Sequence, residues 1–404
     1  MAAQILALVL AGLLLTLVLQ DAFEVMLLPR RVHRRARLMR LFFVGSWTVW
    51  ARVGRAIPKP AQREKFLCVY GPLAMMILFA VWAALLIVGF GLLQWALQAR
   101  LGGRPSSPLA AQFYLSGVTF FTLGFGDVVP HTSAGRIVAV AEAGTGFGFI
   151  AVVIGYLPVL YQLFSRREAH IIQLDGRAGS PPSPVELLRR HAESGGLEKL
   201  DELLRAWEIW GAELLESHLS YPMLAYYRSQ HDDQSWLAAL TTIMDACALI
   251  LVGVEDIKPL QARMTFAIAR EVVIELAWSF WIPPRSPTSE TRLGAADFES
   301  MLALFEEVGL KWNGGPDAEQ TLAAVRATYE PQVEGLAHYL LIPLSGWLPQ
   351  DATPDHWERG ARGIIARRLV RGLSDGSIGA EASDAGGDSA NLRQSLRDLP
   401  GRRG

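Results

Sequence analysis
The chain has 404 residues, of which 51% are hydrophobic and only 19% are charged. Soluble domains carry roughly 25% charged residues, so the composition argues against a disordered or nucleic-acid-binding protein and for a membrane protein. Lys and Arg number 38 and Asp and Glu 39, a net charge of −1, but the basic residues are unevenly spread.

In chain order, residues 1–28 contain ILALVLAGLLLTLVL. About 20 apolar residues cross the roughly 30 Å hydrocarbon core, so this run is long enough to span. No basic stretch precedes it and no small-x-small cleavage site follows, so it reads as a retained anchor rather than a signal peptide. Residues 29–65 are basic, with Arg30, Arg31, Arg34, Arg35, Arg37 and Arg40, then Arg52, Arg55, Lys59, Arg63 and Lys65. Basic loops stay on the cytoplasmic side, which puts this segment inside and the N-terminus outside. Within it, residues 41–53 are apolar, carry Trp47 and Trp50, and are too short to span. They read as an amphipathic helix on the inner leaflet or as a plain cytoplasmic helix. A second span, 70–97, goes out and a third, 137–164, returns, with Arg166 and Arg167 just inside. Cys68 and Cys247 have no spacing for zinc or a disulfide framework and read as packing residues.

The connection between the second and third spans is not a plain polar loop. Residues 110–121, AAQFYLSGVTFF, suit a short helix, and Thr122-Leu123-Gly124-Phe125-Gly126-Asp127 follow. A short apolar helix that enters and a glycine-rich segment that returns make a re-entrant loop. Bare backbone at membrane depth is tolerated where protein buries it or where it lines a water-filled path. A dehydrated monovalent cation needs oxygens in place of its hydration shell, and backbone carbonyls can supply them. Aligned carbonyls require alternate left-handed residues, which glycine accepts at little cost, and Gly124 and Gly126 alternate as required. Thr122 adds a hydroxyl, Leu123 and Phe125 would wedge the segment against the short helix, and Asp127 would brace the outer mouth.

The run Thr119-Phe120-Phe121-Thr122-Leu123-Gly124-Phe125-Gly126-Asp127 resembles the T-x-x-T-V-G-Y-G-D signature of potassium channels. The resemblance spans about residues 66–168, in the order span, short helix, filter, span. It implies an all-α membrane protein with a pore-loop channel domain, K+ in the filter and no cofactor. With no HExxH or P-loop in the sequence, an enzyme is not expected. One filter motif per chain implies a homotetramer in the cell membrane, since four loops must meet around an ion. Leu123 and Phe125 depart from the commoner Val and Tyr, which keeps a non-selective cation channel open as an alternative. A membrane-anchored interaction protein that no longer conducts is a third reading.

The resemblance also places Gly146 at the family's hinge glycine, with Pro158 three turns on as a kink and residues 158–164 as the inner constriction. Close packing is the competing role for Gly146. Residues 144–148, GTGFG, lack a preceding short helix and read as part of the inner helix. Glu142, an ionisable residue within a span, either tunes the cavity or braces the filter. No span carries arginines at three-residue spacing, so steep voltage gating is not expected.

Residues 169–348 read as an all-α cytoplasmic domain, set off by a Gly/Ser/Pro patch at 178–184. No Gly-x-Gly-x-x-Gly turn for a dinucleotide is found. Helices are expected at 197–219, 235–254, 262–281, 295–308 and 318–341, the last interrupted near Pro331. Segment 235–254 is apolar enough for a fourth span, but Asp245 at its centre argues for a buried core helix. His218, His231 and Asp232 are weak candidates for a metal, since helix caps and turn bonds explain such a cluster equally well. Trp207, Trp210, Trp278 and Trp281 read as core or interface residues. A basic helix at 349–372 and a disordered tail at 373–404 complete the chain.

Overall fold
A computed structural model of the protein describes residues 2–26, 38–97, 109–193, 195–229, 234–255, 257–286, 292–315 and 317–349. The expected basic helix at 349–372, the tail at 373–404, and His231 and Asp232 lie outside the described residues or nearly so, with only Pro349 inside them. The fold is all-α. Helix α1 (Ala2–Met26) is followed by α2 (Leu38–Ala56) and α3 (Pro60–Cys68), which passes through Val69 into α4 (Tyr70–Ala96). A short α5 (Leu109–Phe120) and a long α6 (Ser133–Ala178) come next. Among the described residues, three stretches are long and apolar enough to cross a membrane: Ala2–Met26, Pro60–Ala96 and Ser133–Ala178.

Helix α1 packs along α4, where Gly89 makes room for Leu15. Polar bonds fix the lower end of this pair. The buried Asp21 carboxylate accepts the Met39 N–H at 3.0 Å and the Trp82 indole N–H at 3.1 Å. One acid thus ties α1 to the first turn of α2 and to the middle of α4, and it serves orphan helix-start donors.

Helix α2 buries Met39, Phe43, Trp47 and Ala51, four residues at the i, i+4 spacing of one helical face. That face meets aromatic rings from elsewhere in the chain. Phe43 stacks on Tyr226 at 5.5 Å, and Trp47 lies 4.8 Å from Tyr70 and donates to the Tyr339 carbonyl at 2.9 Å. Segment 41–53 is therefore part of a longer helix clamped between α4 and the C-terminal helices.

Beyond α6 come α7 (Pro184–Glu193), α8 (Leu200–Ser220), a 3₁₀ turn at Pro222–Tyr226, α9 (Trp236–Val252), α10 (Pro259–Phe280), α11 (Ala295–Glu307), α12 (Ala318–Arg326) and α13 (Glu330–Leu340). The break expected near Pro331 falls at residues 327–329, and Pro331 sits in the first turn of α13, where its missing N–H costs nothing. The inner helix does not stop at residue 168. Helix α6 runs on for 46 residues without interruption, about 69 Å at 1.5 Å per residue, and ends at the Gly/Ser/Pro patch.

Helix α9 is the core of this unit. Every residue from Trp236 to Ile250 is buried. Its 17 residues rise only about 25 Å, short of a hydrocarbon core. Asp245 explains the rest. Its carboxylate pairs with Arg292 at 2.6 Å and accepts the Tyr329 hydroxyl at 2.5 Å. Arg292 also reaches Glu330 at 3.4 Å and the Ser345 carbonyl at 3.0 Å, and Arg326 pairs with Glu330 at 3.1 Å. This buried knot ties α9, α12, α13 and the final segment together.

Removing one partner of a buried pair costs more than removing both. Asp245→Ala should lower stability by about 3–5 kcal/mol by stranding the Arg292 charge. The double change Asp245→Leu with Arg292→Met should cost less. Thermal unfolding of the two purified variants checks that order.

Candidate functional site
The site sits where α5 ends. Its last carbonyls are closed by the chain that follows. The Thr122 N–H donates to the Thr119 carbonyl at 3.0 Å and the Leu123 N–H to the Val118 carbonyl at 2.9 Å. This pair of bonds is the Schellman arrangement, which needs a left-handed residue after the helix and usually takes glycine there. Here the residue is Thr122, with φ 56°. A threonine at positive φ is strained, and it delivers a hydroxyl at the point where the chain turns.

Gly124 and Gly126 also lie in the left-handed region, at φ 60° and 77°, while Leu123 and Phe125 do not. The segment 122–126 therefore alternates in hand residue by residue, the pattern that aligns successive carbonyls along one side. Leu123 and Phe125 are 55% and 66% exposed, so within one protomer they do not wedge the segment against α5 as expected. The whole stretch from Phe121 to Asp127 is exposed in the single chain.

Behind this loop the packing is close and partly polar. The Tyr114 hydroxyl on α5 donates to Asp127 at 2.9 Å and braces the returning chain. Glu142 of α6 is fully buried; Ser116 of α5 donates to it, and the Gln94 amide of α4 donates at 3.3 Å. Ser116 also reaches the Ile87 carbonyl at 2.7 Å. Glu142 therefore lies buried behind α5 and joins three helices. Ser116 and Gln94 escaped the sequence reading because neither belongs to a motif; only contact with Glu142 gives them meaning. The return from loop to α6 is capped by Thr132, whose hydroxyl accepts the Gly135 N–H at 3.1 Å.

Gly146 faces the end of α5. A Cβ placed on it would meet the Phe120 carbonyl carbon at 2.8 Å, so the glycine is required by close approach. Gly144 and Gly148 have no such neighbour. Helix α6 runs through both Gly146 and Pro158 as one helix. In the segment 158–164, Leu160 and Phe164 are buried, and Phe164 packs on Tyr227 at 5.8 Å.

Below the span, Arg167 of α6 is buried and fully used. Its guanidinium donates to the Tyr227 carbonyl at 2.7 Å, to the Leu224 carbonyl at 3.0 Å, and to Glu168 at 3.0 Å. A further N–H meets His218 Nε2 of α8 at 3.3 Å. Burial, with the Arg167 charge beside it, holds the His218 imidazole well below its usual range. The neutral ring donates from Nδ1 to the Leu214 carbonyl at 2.9 Å, which leaves Nε2 as the acceptor for Arg167. His218 is thus engaged at both nitrogens. Among the described residues no group of His, Cys, Asp and Glu is arranged to hold a metal ion.

Comparison with known proteins matches residues 75–162 to a family described as "Ion channel". The chain is 26% identical over 201 residues to "Uncharacterized membrane protein YdjJ" of Bacillus subtilis (strain 168), covering 48% of this chain and 57% of that one. It is 28% identical over 130 residues to "Potassium voltage-gated channel protein Shal" of Drosophila melanogaster, 32% of this chain and 22% of that one. It is 33% identical over 84 residues to "Protein LctB" of Geobacillus stearothermophilus, 18% of this chain and 62% of that one. The chain thus spans less than two thirds of the length of each of these relatives. No solved structure matches the chain. Residues 75–162 thus combine a match to the ion-channel family with two apolar spans, a short helix between them and a loop of alternating hand.

Proposed function
We propose that the chain is one subunit of a potassium-selective channel in which four copies close residues 122–126 into a ring around the ion path. The observation that carries this reading is the alternation of left-handed residues at Thr122, Gly124 and Gly126. Carbonyls aligned by such an alternation replace the water shell of a bare cation. The Thr122 hydroxyl extends the same series of oxygens, and the negative end of the α5 dipole adds to their field. One loop cannot surround an ion, and its polar backbone is exposed in the single chain. In a bilayer each such group costs several kcal/mol unless protein or a water path covers it; three further copies supply both. The protein passes ions passively, with K+ as the permeating ion in the filter. Leu123, Phe125, Asp127 and Thr119 frame the filter, and Glu142 braces it from behind.

The basic segment 29–65 sets the helical unit in the cytoplasm and the start of α1 outside. Helix α6 then lines the inner pore and continues as one rod into that unit. Arg167 is the joint. Any shift of the turn 222–227 against α6 must break or remake its bonds, so the helical unit regulates the gate through this residue.

Ion flux into liposomes under K+ and then Na+ gradients tests the filter. K+ flux should exceed Na+ flux, and Gly124→Ala should abolish it, since φ 60° is costly for a residue with a Cβ. Equal flux of both ions would leave a channel and remove the selectivity. Gly146→Ala should impair conduction by pushing the end of α5 out of place, whether or not α6 bends there; an unaltered single-channel record would refute the close-packing role. Arg167→Lys keeps the charge but loses the planar fork. It should change open probability and leave the K+ against Na+ reversal potential as it was.

A further inference from the structure
The C-terminal end of α10 divides its aromatic residues. Phe280 turns inward and packs on Tyr226 at 6.1 Å. Trp278 and Trp281 stay outward, 57% and 58% exposed. Trp281 also holds an unusual backbone position. It is the left-handed residue that ends the helix, at φ 58°, with the Ile282 N–H returned to the Ala277 carbonyl at 2.8 Å. Glycine is the ordinary occupant of that position, and a bulky ring at positive φ is rare. The fold thus carries two large exposed rings at this helix end, one of them at a position where backbone geometry would favour a residue with no side chain.

Two contacts place these rings relative to the bilayer. The Arg40 guanidinium lies over the Trp281 ring at 4.5 Å. Arg40 follows Met39, whose N–H is held by Asp21 near the end of the spanning helix α1. Trp281 is therefore at the level where α1 leaves the hydrocarbon. Phe23, two residues past Asp21, is exposed there as well. Helix α2 starts from the same point. Its inner face is buried, yet its outer face exposes Leu41, Val44 and Val49, with Arg52 beside them. Tryptophan concentrates at the hydrocarbon–water boundary, apolar helix faces bury into that boundary, and arginine pairs with anionic headgroups.

We propose that Trp278, Trp281 and the outer face of α2 form one surface that seats the helical unit on the phospholipid leaflet on its own side, with Arg40 at headgroup level. The surface continues the lipid-facing side of α1 and matches an anionic leaflet in charge. The inference rests on the membrane placement of α1 and α4 and not on ion selectivity or conduction.

The test uses the full chain in liposomes of phosphatidylcholine with phosphatidylglycerol. Cys68 is exposed and Cys247 buried, so Cys68→Ser clears the background for a nitroxide at Trp278→Cys. Collision with oxygen reports the acyl region, and collision with a water-soluble nickel chelate reports solvent. The label at position 278 should favour oxygen, as a label at Leu13→Cys in α1 does, and opposite to a label at Glu193→Cys in α7. Adding Trp281→Gly removes a ring while relaxing the backbone. It should shift the label at 278 severalfold toward the nickel chelate with no loss of thermal stability. A label at 278 as open to nickel as the one at 193 would overturn the proposal. So would a label immobile and shielded from both reagents, which would mark a contact between copies instead.

Discussion
A polypeptide that carries bare backbone to membrane depth has to hold it still and find partners for its polar groups. The region from α4 to α6 is organised around that constraint. Helix α5 is too short to span, so its last carbonyls would be stranded without the bonds from Thr122 and Leu123. Those bonds turn the chain and start its alternation of hand. The helix itself is held by a buried polar knot of Gln94, Ser116 and Glu142, which ties it to both neighbours. Hydrogen bonds inside hydrocarbon are directional in a way that apolar contact is not, so they set the height and rotation of α5. Gly91 and Gly146 allow the approach that makes those bonds reachable: a Cβ at either would strike Phe113 or the Phe120 backbone.

The same physical device recurs at each joint of the molecule. Asp21 joins α1, α2 and α4; Arg167 joins α6 to the turn 222–227 and α8; Asp245 and Arg292 join α9 to α13 and the final segment. A buried charge is costly unless several hydrogen bonds meet it. Each of these charges therefore has one arrangement in which it is satisfied, and that arrangement fixes how two elements meet. Around them, rings do the filling. Phe43, Trp47, Tyr70 and Tyr226 close the space between the spans and the helical unit. Under the proposed function, the pore and its regulator are coupled by one continuous helix and one guanidinium, with no flexible linker between them.

Much of this was legible along the chain. Span lengths, the short helix and the filter pattern are local properties. Apolar runs, glycine alternation and the position of Thr122 can all be read in sequence because they depend on near neighbours. The break before Pro331 and the burial of α9 were equally readable, the first from a missing N–H and the second from an acid inside an apolar run. Other features were not. The domain boundary expected at residue 168 is bridged by α6, since no helix-breaking residue stands there and the charged pair Arg167–Glu168 is satisfied inside the protein. Leu123 and Phe125 were expected against α5 and are exposed in the single chain.

The sequence by itself determined that three stretches can cross a bilayer, that a re-entrant helix and a glycine-alternating loop lie between two of them, and that the unit from 169 to 348 is built of helices. Tertiary structure alone decided what each residue touches. Gly146 lies against the Phe120 backbone, which leaves no room for a Cβ whether or not the helix bends there. Glu142 could face a cavity or brace a helix, and Ser116 and Gln94 reach it from behind. His218 could bind a metal, and Arg167 and Leu214 occupy both its nitrogens. Periodicity and residue type follow from the covalent chain over a few turns. A residue's partner follows from contacts between positions dozens of residues apart, and no local pattern encodes those.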